Sequence, residues 1–161
     1  MKVSVVMGST SDLPKLEPMI EILKSYEVEV EVRCLSAHRA HNMLVEYVNL
    51  ASSNGTEVFI GAAGMAAALP GVIAGLTVVP VIGVPISGKV LDGVDALLSI
   101  AQMPPGIPVA TVAIDGAKNA AYLALEILGI KYPNIKAKLL EERIAMEEKA
   151  KIANEEVTIK Y

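Results

Sequence analysis

The 161-residue chain contains one cysteine, no tryptophan, one phenylalanine and two histidines. A single cysteine excludes an intramolecular disulfide and is typical of a cytosolic protein. Lys and Arg number 14 against 18 for Asp and Glu, so the formal net charge of −4 offers no electrostatic footprint for a nucleic acid. With 53% hydrophobic and 20% charged residues, the composition excludes intrinsic disorder. We therefore expect one globular, cytoplasmic domain over residues 1–161.

Charged residues are also absent from residues 58–88, a run long enough to span a bilayer. Glycines and prolines interrupt this run, and β-branched clusters alternate with alanine-rich ones, as in buried strands and a buried helix. The first apolar run, residues 3–7, is too short for the hydrophobic region of a signal peptide. We therefore expect neither a membrane span nor a leader.

Short apolar runs alternate with helical segments along the chain. Between residues 27 and 33, valines alternate with charged residues, which is typical of a half-exposed strand at a sheet edge. Strands followed by helices predict an α/β fold: a three-layer αβα, doubly wound parallel sheet of the flavodoxin-like type. The predicted strands are residues 3–7, 27–35, 58–62, 78–84 and 109–114, and the main predicted helices are residues 42–51, 66–76 and 117–128, the last ending at Gly129.

The end of the chain has a different composition. Residues 134–156 are charged and helical, with a thin apolar stripe of Ile135, Leu139, Ile144 and Ile152. Such a narrow stripe beyond a complete core favours docking on a neighbour. We expect residues 1–130 to form the α/β core and residues 131–161 an extra C-terminal helix that packs on a neighbouring subunit.

In an open α/β sheet, ligands bind beyond the carboxyl ends of the strands, so the loops after the strands are the candidate sites. The first is Gly8-Ser9-Thr10-Ser11-Asp12. Its small residues, hydroxyls and carboxylate at a helix start could hold a sugar phosphate, whereas the simpler interpretation is a capped turn. The loop matches neither the dinucleotide nor the P-loop motif.

The second loop is Ser36-Ala37-His38-Arg39. A histidine can exchange a proton near neutral pH and an arginine can hold a phosphate, although a polar surface loop would have the same composition. Cys34 and His41 flank the loop as if in a metal site, but no further cysteine or histidine exists to complete one. We expect no metal.

Two further segments follow strands. Residues 61–71 have almost no side-chain chemistry, which indicates either close packing of a helix on the sheet or a dry backbone wall that excludes water. Residues 85–89 and 102–106 form either a mobile cover or ordinary surface loops.

Six motifs in one order resemble the N5-carboxyaminoimidazole ribonucleotide mutase family of purine biosynthesis. They are Gly8-Ser9-Thr10-Ser11-Asp12, Ser36-Ala37-His38-Arg39, Ala67-Ala68-Leu69-Pro70-Gly71, Pro80-Val81-Ile82-Gly83-Val84-Pro85, Ser99-Ile100-Ala101-Gln102-Met103-Pro104 and Asn119-Ala120-Ala121. The resemblance implies a flavodoxin-like homo-octamer that uses no metal or organic cofactor. It also implies an isomerase that interconverts N5-carboxyaminoimidazole ribonucleotide and 4-carboxy-5-aminoimidazole ribonucleotide in de novo purine (IMP) biosynthesis.

The resemblance also assigns roles to residues. His38 matches the catalytic histidine, Arg39 the phosphate-binding arginine, and Ser9 and Asp12 the substrate-binding serine and aspartate. Neighbouring positions of the same motifs complete the predicted substrate-binding set: Ser11, Ser36, Gly64, Ala68 and Leu69.

The chain departs from the family pattern at two places. Ala40-His41 replaces Thr-Pro, and Ala68 replaces a histidine, so His41 is a candidate substitute imidazole. The loss at Ala68 leaves open an aminoimidazole ribonucleotide carboxylase that uses carbon dioxide directly. The sequence is also compatible with a carboxylase for a different heteroaromatic ring, a non-catalytic nucleotide-binding module and a family member that has lost its activity.

Overall fold

The structure, a computed structural model, describes residues 1–161 as five strands and six helices that alternate along most of the chain. The strands are β1 (Lys2–Met7), β2 (Glu29–Cys34), β3 (Val58–Gly64), β4 (Val81–Ile86) and β5 (Ala110–Thr111). The helices are α1 (Leu13–Ser25), α2 (His41–Ser53), α3 (Leu69–Leu76), α4 (Val94–Ala101), α5 (Ala117–Lys131) and α6 (Pro133–Lys160). The chain divides into two compact units, Met1–Ala124 and Leu125–Tyr161.

The five strands of the first unit form one parallel sheet in the order β2-β1-β3-β4-β5. Val5 in β1 pairs with Val32 of β2 on one side and with Ile60 of β3 on the other. The predicted doubly wound α/β class is thus confirmed. The connection after β1 leads to β2 at one edge of the sheet, whereas the connection after β3 leads to β4 in the opposite direction. The switch point therefore lies between β1 and β3, where open α/β sheets bind ligands.

Burial along the strands follows their position in the sheet. β4 is buried throughout and β3 at every residue except Gly64, because parallel strands are covered on both faces. β2 is an edge strand, in which Val30 and Val32 are half-buried while Glu29 and Arg33 are exposed. The alternating sequence therefore predicted the edge position correctly.

Two glycines let helices lie directly on the central strands. A Cβ atom on Gly61 would lie 3.1 Å from Cα of Pro70, and one on Gly83 would overlap Cγ2 of Ile100. A side chain at either position would push α3 or α4 off the sheet. The contact at Gly61 also places Pro70, near the start of α3, against the middle of β3.

Several predicted boundaries were wrong. The strand predicted over residues 78–84 is β4, Val81–Ile86. The helix predicted over residues 66–76 begins only at Leu69, because Met65 has a left-handed backbone (φ +58°) and the next residues form a tight turn. The strand predicted over residues 109–114 is reduced to β5, which pairs with β4 at two positions only. Helix α5 was predicted to end at Gly129, but it continues through this residue to Lys131.

The second unit contains the end of α5 and the 28-residue helix α6. Within it, Arg143 donates a hydrogen bond of 2.5 Å to the Glu126 carboxylate. Large apolar side chains of α6 are exposed, among them Leu140, Ile144 and Ile152. No helix of the chain is both long and apolar enough to cross a membrane.

Candidate active site

A pocket of about 620 Å³ lies where the loops after β1, β2, β3 and β4 meet. Its lining includes all nine residues predicted as catalytic or substrate-binding: Ser9, Ser11, Asp12, Ser36, His38, Arg39, Gly64, Ala68 and Leu69. These residues come from three separate loops, which the parallel strands bring to one edge of the sheet. The structure thus brings the predicted set together, and the individual roles stay predictions.

The loop after β1 is held by its own hydroxyl groups. The Ser9 hydroxyl accepts a hydrogen bond from the Ser11 backbone N–H (3.2 Å) and lies 2.7 Å from the Ser11 hydroxyl. Asp12 is the N-terminal cap residue of α1, yet its carboxylate makes no capping hydrogen bond. This carboxylate therefore lines the pocket and is not used to cap the backbone N–H groups of the helix.

The loop after β2 supplies the cationic and basic groups. Arg39 donates from its guanidinium to the Gly8 carbonyl (3.2 Å), and its backbone N–H donates to the Ser36 hydroxyl (3.3 Å). These contacts join the second loop to the first across the β1–β2 pair. His38 lies beside Arg39 in the pocket lining, so its imidazole is open to a ligand there.

The loop after β3 forms an apolar wall, residues 64–69. Gly64 stands where a Cβ atom would lie 3.1 Å from the Ile86 carbonyl oxygen, and Leu69 is buried at the start of α3. Between them the left-handed turn at Met65 orients short alanine side chains along the pocket. The wall therefore offers backbone and methyl groups, which can face a flat ring and keep water away.

His41 lies outside this arrangement. It is the exposed first residue of α2 and does not line the pocket. His38 is thus the imidazole of the pocket, and the geometry gives no support to His41 as a substitute for the residue missing at position 68. No three His, Cys, Asp or Glu side chains are grouped so that they could hold a metal ion.

Asp12 is the one acidic residue that lines the pocket. The lining also contains the cation of Arg39 and the imidazole of His38. Burial raises the pKa of Asp12 above its ordinary value of 3.8, against the opposing effects of the Ser11 hydroxyl and the Lys15 charge. A partly buried carboxylate of this kind is well suited to accept hydrogen bonds from ligand hydroxyls.

The loop of residues 85–89, predicted as either a mobile cover or an ordinary surface loop, also contributes residues to the pocket. Ser87 and Gly88, at the end of β4, line it, and Ser87 is bonded to Lys15 of α1 and to Asp115 after β5. The loop after β5 was not among the predicted sites, although it also follows a strand. That rule alone would have pointed to Asp115.

Asp115 gives a prediction about stability and pH. Burial raises its pKa, but hydrogen bonds from Ser87 and Lys15 outweigh this and bring it below the ordinary value of 3.8. An acid whose pKa is lowered by folding stabilises the protein above its unfolded pKa and loses this effect as the pH falls through the folded pKa. We expect Asp115→Asn to lower the free energy of unfolding near neutral pH, and the difference from the wild type to shrink below pH 3.8.

The measurement is denaturant unfolding of both proteins from neutral pH down to about pH 2. Glu147→Gln is the control, because Glu147 forms an exposed ion pair with Lys151 on α6 and should have little effect at any pH. If the difference in the free energy of unfolding between Asp115→Asn and the wild type stays constant over the whole pH range, the lowered pKa of Asp115 is contradicted.

Comparisons with known proteins agree with this geometry. The family model described as AIR carboxylase matches residues 2–149. The chain is 59% identical over 146 residues to the N5-carboxyaminoimidazole ribonucleotide mutase of Pyrococcus abyssi, covering 91% of this chain and 84% of that protein. It is 53% identical over 155 residues to the mutase of the same name from Methanocaldococcus jannaschii, covering 96% of each chain.

A solved structure supports the same relationship. The crystal structure of Treponema denticola PurE superposes with a TM-score of 0.85 at 28% identity, covering 92% of this chain and 93% of that one. The family resemblance inferred from the six motifs is therefore confirmed. With the family model matching nearly the whole chain and identities above one half to the curated relatives, this protein belongs to the AIR carboxylase family.

Proposed function

We propose that this protein interconverts N5-carboxyaminoimidazole ribonucleotide and 4-carboxy-5-aminoimidazole ribonucleotide, as an isomerase of de novo purine biosynthesis. One observation carries the proposal: in a chain more than half identical to proteins named for this reaction, all nine residues predicted for it line one pocket. The class of substrate fits the lining, which places a guanidinium, hydroxyl groups and a carboxylate beside an apolar wall.

The reaction balances without a cofactor. The bond between the exocyclic nitrogen and the carboxylate breaks, its electron pair stays on nitrogen, and carbon dioxide is released inside the pocket. The electron-rich ring carbon then attacks the carbon dioxide and forms the new carbon–carbon bond. Nitrogen gains one proton and the ring carbon loses one, so a single imidazole, that of His38, can supply and recover it.

The pocket supports this sequence by position. Arg39 is held by the Gly8 carbonyl and lies at the loop after β1, where helix α1 also starts, and both features favour a phosphate. Ser9, Ser11 and Asp12 supply hydroxyl and carboxylate groups for the ribose. The apolar wall, residues 64–69, faces the ring and would keep carbon dioxide close and water out.

The experiment is product formation by the purified protein from two starting mixtures. One is N5-carboxyaminoimidazole ribonucleotide in bicarbonate-free buffer, and the other is aminoimidazole ribonucleotide with added bicarbonate. We expect faster conversion of the first, with little response to bicarbonate. Turnover of only the second mixture would replace the mutase by a carboxylase that uses carbon dioxide directly, and turnover of neither would overturn the proposal.

We propose further that the protein works in the cytoplasm as a homo-octamer, with residues 131–161 packing on a neighbouring subunit. The number of subunits is the one that the family resemblance implies, and two features support the compartment and the contact. The free cysteine, Cys34, is exposed, which suits a reducing compartment. Helix α6 exposes apolar side chains such as Ile144 (68%) and Ile152 (49%), which a neighbouring subunit would cover.

Light scattering tests the assembly. We expect a mass of eight times the 17.0 kDa chain, and a lower mass for Ile144→Lys, which places a charge in the proposed contact. Lys149→Gln at an exposed position of the same helix serves as the control for a surface substitution. A 17.0 kDa species for the wild type would contradict the octamer.

A further inference from the structure

Three distant segments meet in one polar cluster beside the pocket, formed by Lys15 of α1, Ser87 after β4 and Asp115 after β5. Lys15 Nζ donates to both Asp115 carboxylate oxygens, each at 3.0 Å, and to the Ser87 hydroxyl (2.5 Å) and carbonyl (3.1 Å). Asp115 accepts from the Ser87 backbone N–H (2.9 Å) and hydroxyl (2.5 Å). This cluster, the Lys15 clamp, therefore holds Ser87 through both its backbone and its side chain.

The backbone around Asp115 is shaped for this contact. Asp115 has a left-handed backbone (φ +54°), and its N–H donates to the Pro85 carbonyl at 2.8 Å. A non-glycine residue rarely adopts this conformation unless its surroundings require it. The turn thus brings the Asp115 carboxylate back onto the end of β4, two residues beyond Pro85.

The segment that follows Ser87 is fixed at its other end by Gly93. A Cβ atom on Gly93 would lie 3.0 Å from Cα of Ser87 and 2.7 Å from Cγ2 of Ile114, so the two ends of residues 87–93 touch. Leu91, Asp92 and Gly93 all have left-handed backbones (φ +57°, +48° and +92°). The Lys15 clamp therefore secures the base of a tight loop whose first two residues, Ser87 and Gly88, line the pocket.

Ser87 itself is committed to the clamp. Its hydroxyl donates to Asp115 and accepts from Lys15, and its N–H and carbonyl are also bonded there. A ligand would have to compete with a charged pair for any of these groups. Ser87 is thus placed to shape the pocket wall, while the cluster's own polar groups are engaged with one another.

The clamp is also close enough to affect Asp12, which lies three residues before Lys15. The Lys15 charge favours the ionised form of Asp12 and the Asp115 charge opposes it. The charged groups that act on Asp12 are therefore Lys15 on its own helix and Asp115 after β5.

We infer that Lys15 and Asp115 are positioning residues, which act through Ser87 to hold the Ser87–Gly88 wall of the pocket in place for the nucleotide. The inference rests on the proposed function. An exposed ion pair with no positional role would stabilise the fold slightly and leave substrate binding unchanged. A wall that contacts the substrate in both its ground and transition states affects KM rather than kcat.

The experiment compares Lys15→Met with Lys15→Arg and with Lys2→Met. An arginine at position 15 can still reach the Asp115 carboxylate, so Lys15→Arg is the conservative variant expected to keep the wild-type behaviour. Lys2→Met is the matched control, because Lys2 forms an ion pair with Glu31 (2.8 Å) at the start of β1, the opposite end of the sheet from the pocket.

For Lys15→Met we expect KM for N5-carboxyaminoimidazole ribonucleotide to rise about tenfold with kcat within about twofold of the wild type. We also expect amide hydrogen exchange in residues 87–93 to accelerate about tenfold. Lys15→Arg should restore both quantities, and Lys2→Met should leave both unchanged.

The two measurements separate this inference from the function on which it rests. If the wild type does not turn over the nucleotide, the proposed function fails. The exchange rates then decide on the clamp alone, and unchanged exchange in Lys15→Met would overturn it. If the wild type is active, an unchanged KM in Lys15→Met overturns the positioning role, as does an equal rise of KM in Lys2→Met.

Discussion

Replacing His38 with Asn is expected to reduce kcat by about 1,000-fold while the product nucleotide still binds within about threefold of its wild-type affinity. Asparagine is close to histidine in size and keeps polar atoms at the same place, but it cannot take up and return a proton. His38 is the imidazole of the pocket, and the proposed isomerisation moves one proton from carbon to nitrogen. Initial rates and calorimetric titration with the product would measure the two quantities.

The second histidine of the chain supplies the control. His41→Asn makes the same chemical change at an exposed position outside the pocket, and it should leave kcat and KM unaltered. Loss of activity in His41→Asn, with His38→Asn still active, would assign the proton transfer to His41. Retention of wild-type activity in His38→Asn would remove the histidine from the mechanism.

Replacing Arg39 with Leu is expected to raise KM by about 100-fold with only a small change in kcat, because the proposed charge-assisted contact to the phosphate would be lost while the groups proposed to contact the reacting ring remain. The guanidinium is already held by the Gly8 carbonyl, so the free enzyme orients it before the ligand binds. Arg39→Lys should recover only part of the affinity, since an ammonium group is a point charge without the planar fork.

Arg33→Leu is the matched control for Arg39→Leu. Arg33 lies on the edge strand β2, packs over the Tyr47 ring at 5.3 Å and does not line the pocket. Its loss should leave KM unchanged at the same ionic strength. A similar rise of KM in both variants would mean that overall positive charge, and not the fork at position 39, attracts the nucleotide.

Much of the site was predictable because its residues follow strands. Ser9, Asp12, His38 and Arg39 each lie in a loop directly after a strand, and the carboxyl ends of parallel strands meet at one edge of the sheet. The apolar wall was predictable in composition, but its turn was not. Met65 adopts a left-handed backbone, which the alanine-rich sequence around it does not predict. Because of this turn, α3 starts at Leu69.

The Lys15 clamp could not be predicted from local pattern. Lys15 and Asp115 are 100 residues apart, and each is a charged residue of the kind found at ordinary surface positions. They meet because β5 pairs with β4 for two residues and the chain then turns back toward Pro85. The short run of residues 109–114 that predicted a longer fifth strand carried no information about this turn.

The sequence by itself determined the elements, their alternation and the residue types at each strand end, because hydrophobic periodicity and turn chemistry act over a few neighbouring residues. The tertiary structure decided which loops share a pocket, that His41 lies outside it, and that Ser87 is held by Lys15 and Asp115. Those outcomes depend on strand order and register, which are set by pairing and packing between residues far apart in the chain.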